Sequence, residues 1–458
     1  MNQRPKKRMK KLMSAALSLL MVLSMPVSGL AAEQEPAAAS TQTMRTADDL
    51  LLYPAPRSLE KGEGTYVLQD GVIRSDDAEL AAVSKIIEDA CELAGVTLNN
   101  EDSASAQIEL NHNEALDEQG YSLIIDASGV HITYRDEAGA RYAAATLYQI
   151  MWQTKQELPY LTIENDHPDF QYRAFDMDIS RNRLPSVDTV KRVIDLLENL
   201  KYNQMFLYLE GFSYAYESYP QVWSGGDPLT PAQARELSEY ATERGIDLIP
   251  AQNSFGHSAQ WIAHNDFSEL GDVKGSTTLN LFDPDTQTFI SNLYHDLYAE
   301  GFQSDILQVG GDETTLDLAN GRAAASWREL HPGEEPTQEK LYMDSMEIIA
   351  QLAEEQQKTM MYWGDMIIHY DLYEEAAQRM PGAIAMNWGY LYDYDFETSS
   401  ARLQEAGIPY YVCAGDASWS TITGNTFVMN KNAENAAAAG KKHEALGFAM
   451  TNWGDAGH

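Results

Sequence analysis

Basic residues and cysteine are scarce in this 458-residue chain. It carries 32 Lys and Arg against 69 Asp and Glu, a formal net charge of −37. Six of the basic residues, and no acid, fall within residues 1–32, so the remainder is more anionic still. A surface of that sign repels phosphate backbones and anionic lipid headgroups. Nucleic-acid binding is therefore excluded as the main activity, and no stable membrane association is expected. The two cysteines, Cys91 and Cys413, are far apart, so a disulfide between them is possible but not implied. The chain has no HExxH pair and no Cys pair at zinc-ligand spacing, and its ten histidines are scattered. No metal or other cofactor is expected. Beyond residue 32 no apolar stretch approaches membrane-spanning length.

The N-terminus holds what the rest lacks. Arg4, Lys6, Lys7, Arg8, Lys10 and Lys11 precede an apolar run from Leu12 to Val27, and Gly29-Leu30-Ala31 supplies small residues before a cut. This layout predicts a secretory signal over residues 1–32, and hence a secreted, extracellular protein. Pro26 and Gly29 interrupt the run, which disfavours an uncleaved anchor. Residues 33–50, rich in Ala, Glu, Gln, Ser and Thr, read as a flexible leader.

Two textures follow. Over 51–166, alternating segments at Tyr121–Asp126 and Val130–Tyr134 flank a short polar turn, a hairpin signal. Helical spacing of apolar residues runs over Glu79–Ala94 and Gly139–Gln153. These segments predict a small α+β domain whose helices cover one face of an antiparallel sheet. Over 167–458 the pattern becomes strict alternation. Strand candidates at 172–179, 205–210, 247–252, 306–309, 359–363, 383–388, 410–413 and 447–453 are separated by seven helical segments. Eight such strands predict an α/β domain of the (β/α)8 TIM-barrel type. An open doubly wound sheet is the runner-up, but no Gly-rich phosphate turn follows the first strand. The chain stops at His458, just after strand eight, so the closing helix of the barrel is expected to be missing. The barrel domain then reads as truncated at its C-terminus, with an apolar flank of strands one and eight uncovered.

Barrel chemistry sits at the carboxyl ends of the strands. Strand one carries Arg173, Asp178 and Arg181, and strand two ends at Glu210. Strand three runs into Asn253-Ser-Phe-Gly-His257, and strand four into Gly310-Gly-Asp-Glu313. Trp363-Gly-Asp365, Asn387-Trp-Gly389 and Asn452-Trp-Gly-Asp455 end strands five, six and eight, and Asp416-Ala-Ser-Trp419 follows strand seven. Any one Trp is most often core, but several at one rim suit the apolar faces of sugar rings, while Asp and Arg suit their hydroxyls. Adjacent carboxylates at a Gly-Gly bend suit cleavage of a glycosidic bond, which needs a proton donor and a stabiliser of positive charge.

These residues resemble glycoside hydrolase family 20, the β-N-acetylhexosaminidases. The resemblance extends to Gly120-Tyr-Ser-Leu-Ile-Ile and Gly139-Ala-Arg-Tyr-Ala-Ala-Ala-Thr-Leu-Tyr-Gln149 of the first domain. Gly-Gly-Asp-Glu is its most specific motif. The resemblance implies Glu313 as general acid and then base, and Asp312 as the residue that receives the substrate's acetamido N–H. The nucleophile would be the acetamido oxygen of the substrate itself, with retention of configuration. Arg173 would grip outer hydroxyls, His257 would lie near Glu313, and Asp455 would take a hydroxyl. Trp363, Trp388 and Trp453 would wall the pocket. The group holding the acetamido oxygen is expected after strand seven, where Trp419 lies, with Tyr411 a weaker candidate. The implied substrate is a glycan or oligosaccharide ending in GlcNAc or GalNAc. The alternatives are a disaccharide-releasing relative and a non-catalytic glycan-binding protein.

Overall fold

The computed structural model describes residues 49–75, 81–100, 106–181, 183–419 and 421–455. The signal segment and all but two residues of the leader lie outside the described residues. Among those described, no helix is long and apolar enough to cross a membrane.

The first domain is a seven-stranded sheet with two long helices. Its strands are β1 (Glu60–Val67), β2 (Gly71–Ser75), β3 (Leu98–Asn100), β4 (Ile108–His112), β5 (Tyr121–Asp126), β6 (Gly129–Tyr134) and β7 (Glu157–Asp166). Their spatial order is β1-β7-β5-β6-β4-β2-β3. Side chains alternate between buried and half-buried along β5, as its alternating sequence requires. The β5–β6 hairpin forms as expected, with Asp126 opposite Gly129. The sheet is mixed rather than antiparallel, because β4 pairs in parallel with both β2 and β6. Asp136 caps the helix Glu137–Thr154 through the N–H of Gly139. That helix and Ala81–Ala94 bury Val83, Ile87, Leu147 and Ile150 against the sheet.

The second domain is a closed barrel of eight parallel strands. They are β8 (Tyr172–Asp178), β9 (Gln204–Leu209), β10 (Asp247–Gln252), β11 (Ile306–Gln308), β12 (Thr359–Trp363), β13 (Ile384–Trp388), β14 (Tyr410–Gly415) and β15 (Gly447–Asn452). β9 and β14 are buried along their whole length, which explains why they read as continuous apolar runs. Two apolar layers result. One fills the barrel with Ala174, Phe206, Ile249, Met361, Met386 and Ala449. The other lies between strands and surrounding helices.

The barrel closes by parallel pairing of β15 with β8 over six residue pairs. Phe170 packs on Phe448 at 6.0 Å, so the flank of these strands is not bare. Phe175, Phe448 and Met450 are only partly buried there.

Candidate active site

Asp178, at the end of β8, is fully buried and organises the turn that follows. Its Oδ1 accepts the N–H groups of Ser180 at 2.8 Å and Arg181 at 3.2 Å, and its Oδ2 accepts that of Gly454 at 2.9 Å. The turn swings Arg181 over the barrel mouth. There the guanidinium meets Asp455 at 3.3 Å, Asp178 at 3.4 Å and Glu210 at 3.2 Å. It also lies over the rings of Tyr208 and Trp453. Burial alone would weaken its charge, but Tyr208, Glu210, Asp178 and Asp455 outweigh burial and raise its pKa.

Three loops then bring charge together. His257 follows β10 in a left-handed conformation, φ 50°. Its Nε2 lies 3.2 Å from Asp312 Oδ2 and 3.6 Å from Glu313 Oε2, and its Nδ1 lies 3.9 Å from Glu210 Oε2. Burial pulls the pKa of His257 down, but the ion pair with Asp312 and the charge of Glu210 push it up to about 9. The imidazole is thus a cation at neutral pH. After β11, Gly310 and Gly311 take φ 77° and 92°, and Glu313 takes 47°. A side chain at Gly310 would collide with Asn253 Oδ1, so glycine is needed both for φ and for room. The double bend resolves a difficulty of adjacent residues, which point to opposite sides of an extended strand. Asp312 faces His257 from within, whereas the Glu313 side chain is 62% exposed at the rim.

The far wall is aromatic. Trp363 and Trp453 lie 5.8 Å apart in the floor. Trp388 stacks on Tyr390 at 5.0 Å, and Tyr390 meets the edge of Trp419 at 4.9 Å. Asp365 sits behind this wall, where its carboxylate accepts the indole N–H of Trp388 at 3.2 Å and the backbone N–H of Glu313 at 3.1 Å. Burial and the charge of Asp312 push the pKa of Asp365 up to about 7. Together these groups enclose a cavity of about 360 Å³ lined by Arg181, His257, Asp312, Glu313, the four tryptophans, Tyr390 and Asp455. No cluster of three or more metal-ligating side chains occurs among the described residues.

Eight of the nine residues picked out from sequence line this one cavity: Asp312, Glu313, His257, Trp363, Trp388, Trp419, Trp453 and Asp455. Arg173 does not. It is the second residue of β8, about 16 Å of strand before the barrel mouth. There it donates to the carbonyls of Lys201, Phe170 and Gln171, to Gln119 Oε1 and to the Tyr142 hydroxyl, joining the first domain to the barrel base. Arg181 is the arginine in the cavity; its place beyond the last residue of β8 was the distinguishing signal. Tyr411 is likewise low in the barrel, donating to Gln204 Oε1 at 2.8 Å. The tyrosine that reaches the cavity is Tyr390, which follows strand six rather than strand seven. Sequence reasoning also left Glu210 and Asp365 without roles, although both stand at strand ends.

Known proteins resemble this chain in sequence and in fold. The family model "Glycosyl hydrolase family 20, catalytic domain" matches residues 170–444, and "Glycosyl hydrolase family 20, domain 2" matches 49–166. A β-hexosaminidase of Vibrio furnissii is 28% identical over 303 residues, covering 58% of this chain and 49% of the relative. A β-N-acetylhexosaminidase of Cellulomonas fimi is 28% identical over 304 residues, covering 59% of this chain and 61% of the relative. The chain thus spans about half the length of the curated relatives it matches. Among solved structures, the exo-β-N-acetylglucosaminidase of Vibrio harveyi in complex with N-acetylglucosamine superposes with a TM-score of 0.71 at 18% identity, over 88% of this chain and 69% of that one. The Streptomyces plicatus N-acetyl-β-hexosaminidase does so with 0.67 at 22% identity, over 88% and 85%. At these identities the superpositions establish the fold.

Proposed function

Because the chain belongs to glycosyl hydrolase family 20, we propose that it is an exported exo-β-N-acetylhexosaminidase that removes terminal GlcNAc or GalNAc with retention of configuration. The observation that carries this reading is the pair Asp312 and Glu313, set at different depths beside a tryptophan-walled cavity by the Gly310-Gly311 bend. Export rests on the sequence of residues 1–32.

A ring bound against the tryptophans has its β-linked leaving oxygen towards the rim, where Glu313 stands. Glu313 gives its proton to that oxygen as the bond from the anomeric carbon breaks. The carbonyl oxygen of the 2-acetamido group attacks the same carbon from the opposite face, closing an oxazolinium ring. Asp312, deeper and beside the His257 cation, accepts the acetamido N–H and stabilises the positive charge as it develops. Water then enters from the side of the departed group and gives a proton to the Glu313 carboxylate. It bonds to the anomeric carbon as the oxazolinium C–O bond opens. Two inversions amount to retention. Arg181 and Asp455 bind ring hydroxyls, and Tyr390, which lines the same cavity, meets the acyl group.

The test compares aryl β-GlcNAc, aryl β-GalNAc and aryl β-glucoside side by side. Release from the acetamido sugars alone is expected, because glucose lacks the internal nucleophile. Equal hydrolysis of the glucoside would refute substrate assistance. A folded protein inert towards all three would refute the enzymatic reading.

A further inference from the structure

Asp365 is set apart by where its hydrogen bonds go. It opens a short helix directly after β12. One carboxylate oxygen receives the N–H of Glu313 from the loop after β11, and the other receives the indole N–H of Trp388 from the end of β13. A single half-buried acid therefore ties together three consecutive strand ends. It reaches the backbone of the proton donor on one side and a wall of the sugar cavity on the other. Resting on the function proposed above, we infer that Asp365 is a positioning residue that holds Glu313 in its left-handed turn and fixes the plane of Trp388.

Several observations converge on this role. Glu313 has φ 47°, a conformation that a residue with a Cβ adopts at a cost, so something must hold it there. Gly310 and Gly311, which precede the Asp312-Glu313 pair, have positive φ and permit the bend but do not choose its end point. The Glu313 side chain is mostly exposed, so packing does not fix it. Its backbone N–H bond to Asp365 does. Two donors converge on Asp365, and only an ionised carboxylate offers both of its oxygens as acceptors without a proton of its own. An amide in its place turns an NH2 group towards one of the two donors.

The ionisable groups facing Asp365 are Asp312 and Glu313 from the loop after β11, Tyr342 from the helix Gln338–Glu355, and Tyr394 from the segment after β13. Burial and Asp312 delay its ionisation until about pH 7. The two-acceptor form therefore becomes complete on the alkaline side of neutrality.

The test is Asp365→Asn, assayed on a series of aryl β-GlcNAc substrates of graded leaving-group pKa. If Asp365 acts through Glu313, the loss in kcat grows as the leaving group worsens. We expect about 10- to 100-fold for the poorest and about threefold or less for the best. The Kd for free N-acetylglucosamine should move by no more than about fivefold, since the cavity itself persists. A loss independent of leaving group would mean that Asp365 only supports the fold, and would overturn the proposal, as would a variant equal to wild type. If Asp365→Asn does not fold, Asp365→Ser, which leaves room for water, is measured identically. A crystal structure of the variant supplies an arm that needs no turnover. Glu313 is expected to leave its left-handed conformation and the Trp388 indole to turn. An unchanged loop overturns the proposal even if the wild type hydrolyses nothing, which is the separate failure of the function proposed above.

Discussion

Replacing His257 with glutamine removes the one cation that, among the described residues, faces Asp312, Glu313 and Glu210 together. The size of the effect follows from the pKa. Folding raises it from the ordinary 6.5 to about 9, because Asp312 and Glu210 outweigh burial. That rise corresponds to about 3 kcal/mol of extra stability for the protonated form. A group whose pKa is raised on folding binds its proton more tightly in the folded state. That stability is fully present below pH 6.5, declines from there, and is lost as pH rises through about 9. Urea unfolding of wild type and His257→Gln at about pH 6 and about pH 10 separates this contribution from the packing of the ring. The wild type should lose about 3 kcal/mol relative to the variant across that interval. A difference that is constant with pH, or that grows with it, would refute the reasoning and mean that His257 is neutral in the folded protein.

Other expectations are simpler. Glu313→Gln should lower kcat by about 100-fold or more for poor leaving groups and far less for activated aryl groups, measured by initial rates. Arg181→Lys, which loses the planar fork shared by Asp455, Asp178 and Glu210, should reduce kcat/KM by about 100-fold. Arg173→Gln should leave KM unchanged but cost about 1–3 kcal/mol in a denaturation midpoint, since it breaks contacts at the barrel base. Asp176→Leu should raise stability by about 1–3 kcal/mol, because Asp176 is buried inside the barrel with no protein group hydrogen-bonded to either carboxylate oxygen. Burial and Asp178 already raise the pKa of that acid.

The periodicity of the sequence located all eight barrel strands to within two residues at every end, since a parallel strand between helices leaves a short apolar run that polar turns bracket. It also located the pair of helices in the first domain. It did not reveal that half the first sheet is parallel, because pairing direction depends on how distant strands meet and leaves no mark on either strand alone. The cavity was legible where a residue ends a strand, as Trp363 and Trp388 do, or follows one immediately, as Trp453 does. It was misread at Arg173, which lies near the start of β8, although the direction of the chain puts Arg181, three residues past that strand, at the mouth. Tyr390 escaped notice because its ring reaches the cavity from a loop whose course is set by Asn432, which receives no hint from the residues beside the tyrosine.

The cavity is also a clock. Its floor joins Arg181 to Asp455, 274 positions apart, and Asp178 to Gly454, 276 apart. Such contacts are among the slowest to form, because the intervening chain must be ordered before they close. A chain that has not yet made its eighth strand lacks Trp453 and leaves Asp178 without the Gly454 N–H it accepts. The complete cavity, and with it the proposed sugar recognition, is therefore withheld until the last strand docks on the first. The appearance of a functioning cavity marks the end of folding rather than any stage along the way, so the rate at which activity emerges during refolding reads out ring closure directly.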